Sequence, residues 1–547
     1  MIFGILLNYL LKNKMVKELL RKCMKKGFLL DREMLEMFNS LDKKRAYEII
    51  DVLGGMQLKE RVVTKKVFND NIERMRGSLF SSFREGDVLD IFSDLSGEKT
   101  NSMKNRTIEK VLKENKYNVK LITTSDFEQK KITVNDFIKH FRNRYDFLKG
   151  VLEDKDFDDL TSIRKLGKVK GNFTIIAAVI SKRITKNKNL ILKVEDMTGT
   201  VNIIVNENKK MLFEKANELL LDDIVAFGVN GSEEVLFCND IYFPEAFLSE
   251  KRRHNDDVWV AFIGDMHCGS KFFLEKNFLR FIKWLNGKEG DDRYRAIAKK
   301  IRYLFVVGDM IDGVGHYPGQ EKNLNIFSSV GQYSKVEEII KLVRRDVQII
   351  MSPGNHDSVW VGEPQAVVDK RLASGLYDIE NLYMVPNPAM VEIEGGFKVL
   401  MYHGASINAF IDELSEIRIK YGHNSPTSVV KEMVKRRHLA PTHGAVDYVP
   451  KDVDSLVINP VPDIILTGDQ HRCEVSIKNN IFLVSASCWQ SSNSFMEKRG
   501  INSDPCKVPL FNLKTREVKI LDFSDDGCGI EWESGEDLVC KLNEEKC

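Results

Sequence analysis

Five times between Val258 and His471 an apolar run stops at residues able to bind a metal ion. Val258 to Ile263 leads to Asp265 and His267, and Tyr303 to Val307 leads to Gly308-Asp309-Met310-Ile311-Asp312-Gly313. Val347 to Met351 ends in Pro353-Gly354-Asn355-His356-Asp357, Val399 to Tyr402 in His403-Gly404, and Ile464 to Leu466 in Thr467-Gly468-Asp469-Gln470-His471. Runs apolar at nearly every position are strands buried on both faces, so these segments demand an α/β sheet covered on each side with its polar groups at the carboxyl ends. Any one fragment, such as a D-x-H after a strand, is ordinarily a structural accident. Five in this order point to one site at a sheet edge.

The rest of the chain reads as modules leading to that segment. At 547 residues it exceeds one hydrophobic core. Residues 1–60 are expected to form a small helical domain: Leu19, Leu20, Cys23, Met24, Leu35, Phe38 and Leu41 recur at helical spacing, with Asp31 placed as an N-cap. Ile2 to Leu11 is too short to span a bilayer and lacks a preceding basic segment, and Met15 offers a second start. Residues 61–132 are poor in apolar runs and read as a flexible linker. Residues 133–163 hold a connecting helix with Phe137, Ile138, Phe141, Tyr145 and Phe147 or Leu148 on one face. Residues 164–250 shift to five short β-like runs with a helix after the third and a turn at Asp196-Met197-Thr198-Gly199, the order of an OB-fold barrel, a common oligonucleotide-binding module. Residues 251–523 carry the five strand-end clusters, and 524–547 form an acidic C-terminal extension.

The motif set resembles that of the calcineurin-like phosphoesterases, over about Val258 to Phe523, which implies a double-sheet sandwich binding two divalent cations roughly 3.5 to 4 Å apart. By the resemblance Asp309 bridges the pair, Asp265, His267 and His471 complete one site, and Asn355 and His403 contribute to the other. His356 matches the general acid that protonates the leaving oxygen, with Asp357 placed to orient its imidazole, while Asp312 is expected to tie down its turn through backbone hydrogen bonds. Mixed imidazole and carboxylate ligation suits manganese, with iron or zinc as alternatives, better than magnesium or calcium. One departure stands out: Asp469 occupies the place of the first histidine of the family's G-H-x-H, and aspartate still coordinates a borderline cation. Cys268 beside His267 reads as an ordinary strand-end residue.

Such a fold hosts many activities, so substrate must come from elsewhere. Leu190 to Val205 with its E-D-M-T-G turn, Leu219 to Phe227, Val385-Pro386-Asn387-Pro388-Ala389, Val399 to Ser406, and Val430 to His443 with K-R-R-H-L-A-P-T-H resemble the small subunit of archaeal family D DNA polymerase. The resemblance implies a 3′→5′ proofreading exonuclease that acts on a DNA primer 3′ end beside a separate large catalytic subunit. The alternatives are a non-catalytic scaffold subunit, or a nuclease of the double-strand-break-repair type, which normally begins with its metal motifs; here about 250 residues precede Asp265. The formal net charge of +2 leaves any DNA contact to a local patch, for which the run Lys431, Lys435, Arg436, Arg437 and His438 is a candidate, facing a DNA strand or the large subunit. Nine scattered cysteines without a C-x-x-C indicate neither disulfides nor a zinc knuckle, and a reducing cytoplasm is the expected location.

Overall fold

The computed structural model describes residues 14–30, 34, 46, 47, 50, 51, 53, 62, 63, 119–123, 131–157, 159–167, 170–492, 503–524 and 532–533. Two compact units divide the chain, 1–115 and 116–547. In the first, helix α1 (Lys14–Lys25) buries Leu19 and Cys23, four residues apart on one face, and Lys22 reaches Asp51 at 2.6 Å. Strand β1 (Leu29–Leu30) pairs in parallel with β2 (Val62–Val63). The Ile2–Leu11 segment, the Asp31 cap and most of the 61–132 linker lie outside the described residues. Two pieces of that linker are strands: β2, and β3 (Lys120–Leu121), which pairs with a strand of the second unit.

The second unit opens with helix α2 (Val134–Glu153), whose first turn is closed by Asp136 accepting from the Thr133 amide at 2.8 Å. Its buried stripe differs from the expected face. Asp136, His140, Arg144, Tyr145, Leu148 and Leu152 are inside, while Ile138 is exposed: Tyr145 and Leu148 of the expected face pack with Ile176, Ile224 and Ala226, and His140 and Arg144 are drawn in by polar partners. Arg144 Nε lies 2.6 Å from Asp454 Oδ2 and its Nη1 donates to the Pro441 carbonyl at 2.7 Å. His438 Nε2 stands 3.0 Å from the same carboxylate, and its Nδ1 accepts from the Ala440 amide. Burial, with Arg144 alongside, pushes His438 down to about 4, so it serves as a neutral donor. On the other side of α2, Tyr145 Oη donates to the Ile176 carbonyl.

Strands β4 (Gly171–Ile184), β5 (Leu190–Asp196), β6 (Gly199–Val205), β7 (Ile224–Gly231) and β8 (Leu236–Tyr242) close a barrel in the order β4-β5-β6-β8-β7, with helix α3 (Lys210–Asn217) after the third strand. This is the OB-fold topology the strand order required. The turn after β5 is held as its residues predict, Asp196 Oδ1 accepting from the amides of Thr198 and Gly199.

Two sheets follow. One takes the order β12-β11-β10-β9-β18-β19-β20. In it β9 (Trp259–Gly264), β10 (Ile301–Val307), β11 (Gln348–Ser352) and β12 (Leu382–Met384) run parallel. The other takes the order β16-β17-β15-β14-β13-β3. It comprises β13 (Ala389–Glu392), β14 (Lys398–Met401), β15 (Ile464–Thr467), β16 (Glu474–Lys478) and β17 (Ile481–Ser485), with β14, β15 and β17 parallel. Strands β18 (Lys507–Asn512), β19 (Val518–Asp522) and β20 (Trp532–Glu533) extend the first sheet, so part of the C-terminal extension pairs as a strand. Along β9, Trp259, Ala261 and Ile263 pack toward helices that include Glu275–Leu285 and Ser329–Ile340. The alternate Phe262 meets Phe482 of the other sheet, and Phe482 stacks on Phe511 at 4.7 Å. Both faces of these strands are covered, as their apolar runs required.

Replacing Arg144 with Met strands the buried Asp454 carboxylate, and a loss of about 3 to 5 kcal/mol is expected in urea unfolding. A change below 1 kcal/mol, on the order of an exposed pair, would show that the clamp on α2 is dispensable.

Candidate metal centre

The loops after β9, β10 and β11 of one sheet and after β14 and β15 of the other open at a common edge, where Asp265, His267, Asp309, Asn355, His403, Asp469 and His471 converge. Ligand atoms of Asp265, His267 and His471 lie within 4.8 Å of one another, as do those of Asp265, Asp309 and His403, and those of His267, Asp309 and His356. Asp309 presents its two oxygens in two directions. Oδ2 lies 3.7 Å from His267 Nε2, and Oδ1 lies 3.4 Å from His403 Nε2. Around the first oxygen, His267 Nε2 is 3.0 Å from His471 Nε2, which is 3.5 Å from Asp265 Oδ1. Around the second, His403 Nε2 is 2.9 Å from Asn355 Oδ1 and 3.9 Å from Asp469 Oδ1. All seven sequence-expected ligand positions are thus brought together, Asp469 included.

The backbone bends to achieve this. Asp265, His267, Asp309, Asp469 and His471 all take φ between 48° and 65°, a left-handed conformation costly for residues with a Cβ. The two D-x-H segments, Asp265-Met266-His267 and Asp469-Gln470-His471, repeat the turn in opposite sheets, and the Asp469 amide donates to Asp265 Oδ1 at 3.1 Å. Close approach also needs glycine. A Cβ on Gly308, at φ 74°, would lie 2.0 Å from His403 Nδ1, and one on Gly354 would lie 2.2 Å from Asp309 Oδ1.

The electrostatics suit cations. Burial, reinforced by Asp309 and Asp469 and opposed by His403, pushes Asp265 well above the usual carboxylate range. Burial works the same way on Asp309, but the His403 and His356 imidazoles more than offset it and hold that carboxyl low. Burial and the neighbouring His267 keep His471 neutral, the state in which an imidazole ligates. Three carboxylates, three imidazoles and an amide sharing one buried space form a donor set fit for borderline divalent cations, whose charge relieves the mutual repulsion of the acids. Cys268 takes no part: burial pushes its thiol up to about 12.

Two expectations about supporting residues are corrected. Asp357 does not orient His356. Its Oδ2 accepts from the amides of Gly354 at 2.9 Å and Met310 at 3.2 Å, and its Oδ1 accepts from Tyr333 Oη, so it pins the third metal loop to the second. Burial, then the charge of Asp309, pushes Asp357 up to about 7. His356 is instead oriented by Nδ1 donating to the Asp312 main-chain oxygen at 2.8 Å, while its amide donates to Asp309 Oδ1. Asp312 acts through its side chain as well: Oδ1 lies 3.3 Å from His267 Nδ1, and Gln320 and Gln490 donate to its two oxygens. Sequence reasoning did not single out these glutamines, Tyr333, or His316, which stacks on His356 with ring centres 4.6 Å apart. Their only signal was position, His316 standing three residues beyond the last glycine of G-D-x-x-D-G.

Four residues of the basic run are engaged within the protein. Arg436 is buried on helix Pro426–Arg436, 3.1 Å from Asp223, and donates to the Glu218 carbonyl beside the barrel. Lys435 pairs with Glu432 at 3.1 Å over the Phe243 ring, Arg437 donates to the Ile458 carbonyl, and His438 serves the Asp454 clamp. An amphipathic helix packed against a barrel spends its cations on that interface.

Two face-to-face mixed sheets with D-x-H, G-D-x-x-D-G, G-N-H-D and His-Gly at one edge define a calcineurin-like phosphoesterase fold. The family model for the B-type subunits of DNA polymerases alpha and epsilon matches residues 260–476. The DNA polymerase II small subunit of Methanothermobacter thermautotrophicus is 33% identical over 393 residues, 71% of this chain and 79% of that relative, and the one of Archaeoglobus fulgidus is 34% identical over 377 residues, 68% and 74%. The chain belongs to the family of DNA polymerase II small subunits. Among solved structures, an archaeal phosphodiesterase is similar at 13% identity over 48% of this chain and 99% of that one, with a TM-score of 0.25. No helix among the described residues is long and apolar enough to cross a membrane.

Beneath His403, Tyr402 Oη donates to Glu363 Oε2 at 3.2 Å in a fully buried pocket, and burial pushes Glu363 up to about 8. A carboxyl raised this far stabilises the fold fully below its ordinary value and loses that contribution as pH climbs toward 8. Glu363→Gln, which keeps an acceptor for Tyr402 without the charge, should match the wild-type Tm near pH 5 and exceed it near pH 9. Parallel Tm-against-pH curves would place the titration elsewhere.

Proposed function

We propose that this chain is the metal-dependent 3′→5′ exodeoxyribonuclease of a family D DNA polymerase, removing mispaired nucleotides from a primer 3′ end in the cytoplasm while a large catalytic subunit carries out synthesis. The observation that supports it is the two-sided Asp309 carboxylate, flanked by Asp265, His267 and His471 on one side and by Asn355, His403 and Asp469 on the other, in a chain of that polymerase family. In this reading Asp265, His267 and His471 with Asp309, and Asn355, His403 and Asp469 with Asp309, would hold a pair of divalent cations. A manganese pair, with iron or zinc as alternatives, supplies Lewis acidity toward the phosphodiester and lowers the pKa of water.

The chain's own residues do the rest. His356, with Nδ1 committed to the Asp312 carbonyl, keeps Nε2 for the proton that the leaving 3′ oxygen needs. His316 covers the ring of His356 and limits its rotation. Asp357 and Tyr333 keep the loop that carries both Asn355 and His356 in register with Asp309. Hydrolysis of the P–O3′ bond then leaves a nucleoside 5′-monophosphate and a shortened primer with a free 3′ hydroxyl.

The full chain, purified with its large subunit, is expected to release the terminal nucleotide from a 3′-mismatched primer when manganese is present. Asp309→Ala should abolish release and also abolish the rise in Tm that manganese gives the wild type. His356→Ala should retain that rise while turnover falls about a hundredfold, the usual scale for a general acid. No release from the wild type, with or without its partner, removes the nuclease reading and leaves a scaffold subunit in its place.

A further inference from the structure

Four residues beyond His356 the chain leaves a tryptophan in water. Of the four tryptophans whose side chains are described, Trp259, Trp284 and Trp489 are buried, whereas Trp360 is 77% exposed and its neighbour Val361 57%. So exposed a ring adds little to the stability of the fold, because burial is what makes an indole stabilising. The loop that carries it is nevertheless fixed at both ends. The Ser358 amide donates to Tyr333 Oη at 3.0 Å and the Val359 amide to the Asp357 carbonyl at 2.7 Å. Beyond the ring, the Glu363 amide donates to the Asp447 carbonyl and the Val449 amide to the Glu363 carbonyl, each at 2.8 Å. One end thus hangs on the pair that aligns the metal loops, Tyr333 and Asp357, and the other on Glu363, the buried partner of Tyr402.

Gly362 sets the ring itself. A Cβ there would lie 2.7 Å from Trp360 Nε1 and 3.0 Å from Cδ1, so the pyrrole edge of the indole rests against a residue with no side chain. Gly362 takes no left-handed φ, and what glycine supplies here is room for the ring. A second exposed ring, Phe327, stands on the loop before helix Ser329–Ile340, where Gln332, the neighbour of Tyr333, donates to the Ile326 and Gly313 carbonyls. One helix therefore ties the loops of both rings to the metal loops. The segment Ser358-Val359-Trp360-Val361-Gly362 carries no charge and offers nothing to a phosphate. A preset, uncharged ring beside a phosphodiester site is matched by the flat face of a nucleobase. Unpaired nucleotides bare such faces, and a stacked duplex covers them.

Resting on the nuclease reading above, we propose that Trp360 is a substrate-positioning residue of the metal centre, which stacks on a base of the unpaired primer end and so presents the scissile phosphodiester to the metal site whatever the sequence. Two measurements test it. In the complex with the large subunit and manganese, Trp360→Ala should raise KM for a primer with an unpaired 3′ end about tenfold, with kcat and the manganese-induced rise in Tm kept. Trp360→Phe, which retains a ring, should restore most of that loss. On the full chain without metal, a thymidylate trinucleotide, shorter than the about 4 to 16 nucleotides that a barrel of the OB type spans, should quench tryptophan emission in the wild type and not in Trp360→Phe. An unchanged KM in Trp360→Ala, or quenching that persists at wild-type strength in Trp360→Phe, overturns the proposal while nucleotide release by the wild type keeps the nuclease reading. Quenching confined to the wild type, in a complex that releases no nucleotide, removes the nuclease reading and upholds the base contact. Weaker association of Trp360→Ala with the large subunit, at unchanged KM, makes the ring a protein contact and overturns the proposal as well.

Discussion

The structure depends on two sheets packing face to face so that the carboxyl ends of their parallel strands reach the same edge. Phe262 and Phe511 from one sheet close on Phe482 from the other, and the helices behind each sheet bury the opposite faces. Without that layer the donors after β9, β10 and β11 would lie on one sheet and those after β14 and β15 on another, with nothing to hold them a few ångströms apart. Dispersion and apolar burial thus supply the force that crowds buried carboxylates together against their own repulsion.

The cost of that crowding is visible locally. Left-handed turns at five donor residues and a glycine beneath His403 are strained or specialised backbone, held by bonds such as those from the Gly354 and Met310 amides to Asp357. Asp469, in place of the family's usual histidine, fits this scheme. It adopts the same backbone turn as Asp265 and brings its carboxylate beside His403, so the site exchanges a neutral donor for an anionic one without changing the loop. More negative charge around the second position favours harder cations than an all-imidazole set would.

A second set of buried charges joins the barrel and α2 to the sheets. Arg144–Asp454 with His438, and Arg436–Asp223 with Glu432, are pairs whose desolvation is offset by several hydrogen bonds each. They add little net stability over apolar packing, but they fix one register, since an Arg displaced from its acid leaves two buried charges unmet. The barrel's open face is thereby held in a constant relation to the rest of the second unit.

The strand-end clusters, the barrel's strand order and the Asp196 turn were legible in the sequence because they are local: a run of apolar residues, a period, a turn residue. The polar residues that converge at the shared edge were legible for the same reason, each standing at the end of a recognisable strand. What could not be read were partners distant along the chain. Nothing near Asp357 tells that it serves Met310 and Tyr333 while the Asp312 carbonyl orients His356, and nothing in K-R-R-H tells that Arg436 meets the barrel's Asp223, Arg437 the Ile458 carbonyl and His438 a buried aspartate. On α2 the apolar Tyr145 and Leu148 were legible, but His140 and Arg144 were not, because hydrophobicity stands in for burial only where the neighbour is apolar and theirs is Asp454. Sequence by itself determined which segments become strands and which chemical groups end them; tertiary structure alone decided which groups meet, because pairing between residues hundreds of positions apart is set by sheet packing and leaves no local periodicity to read.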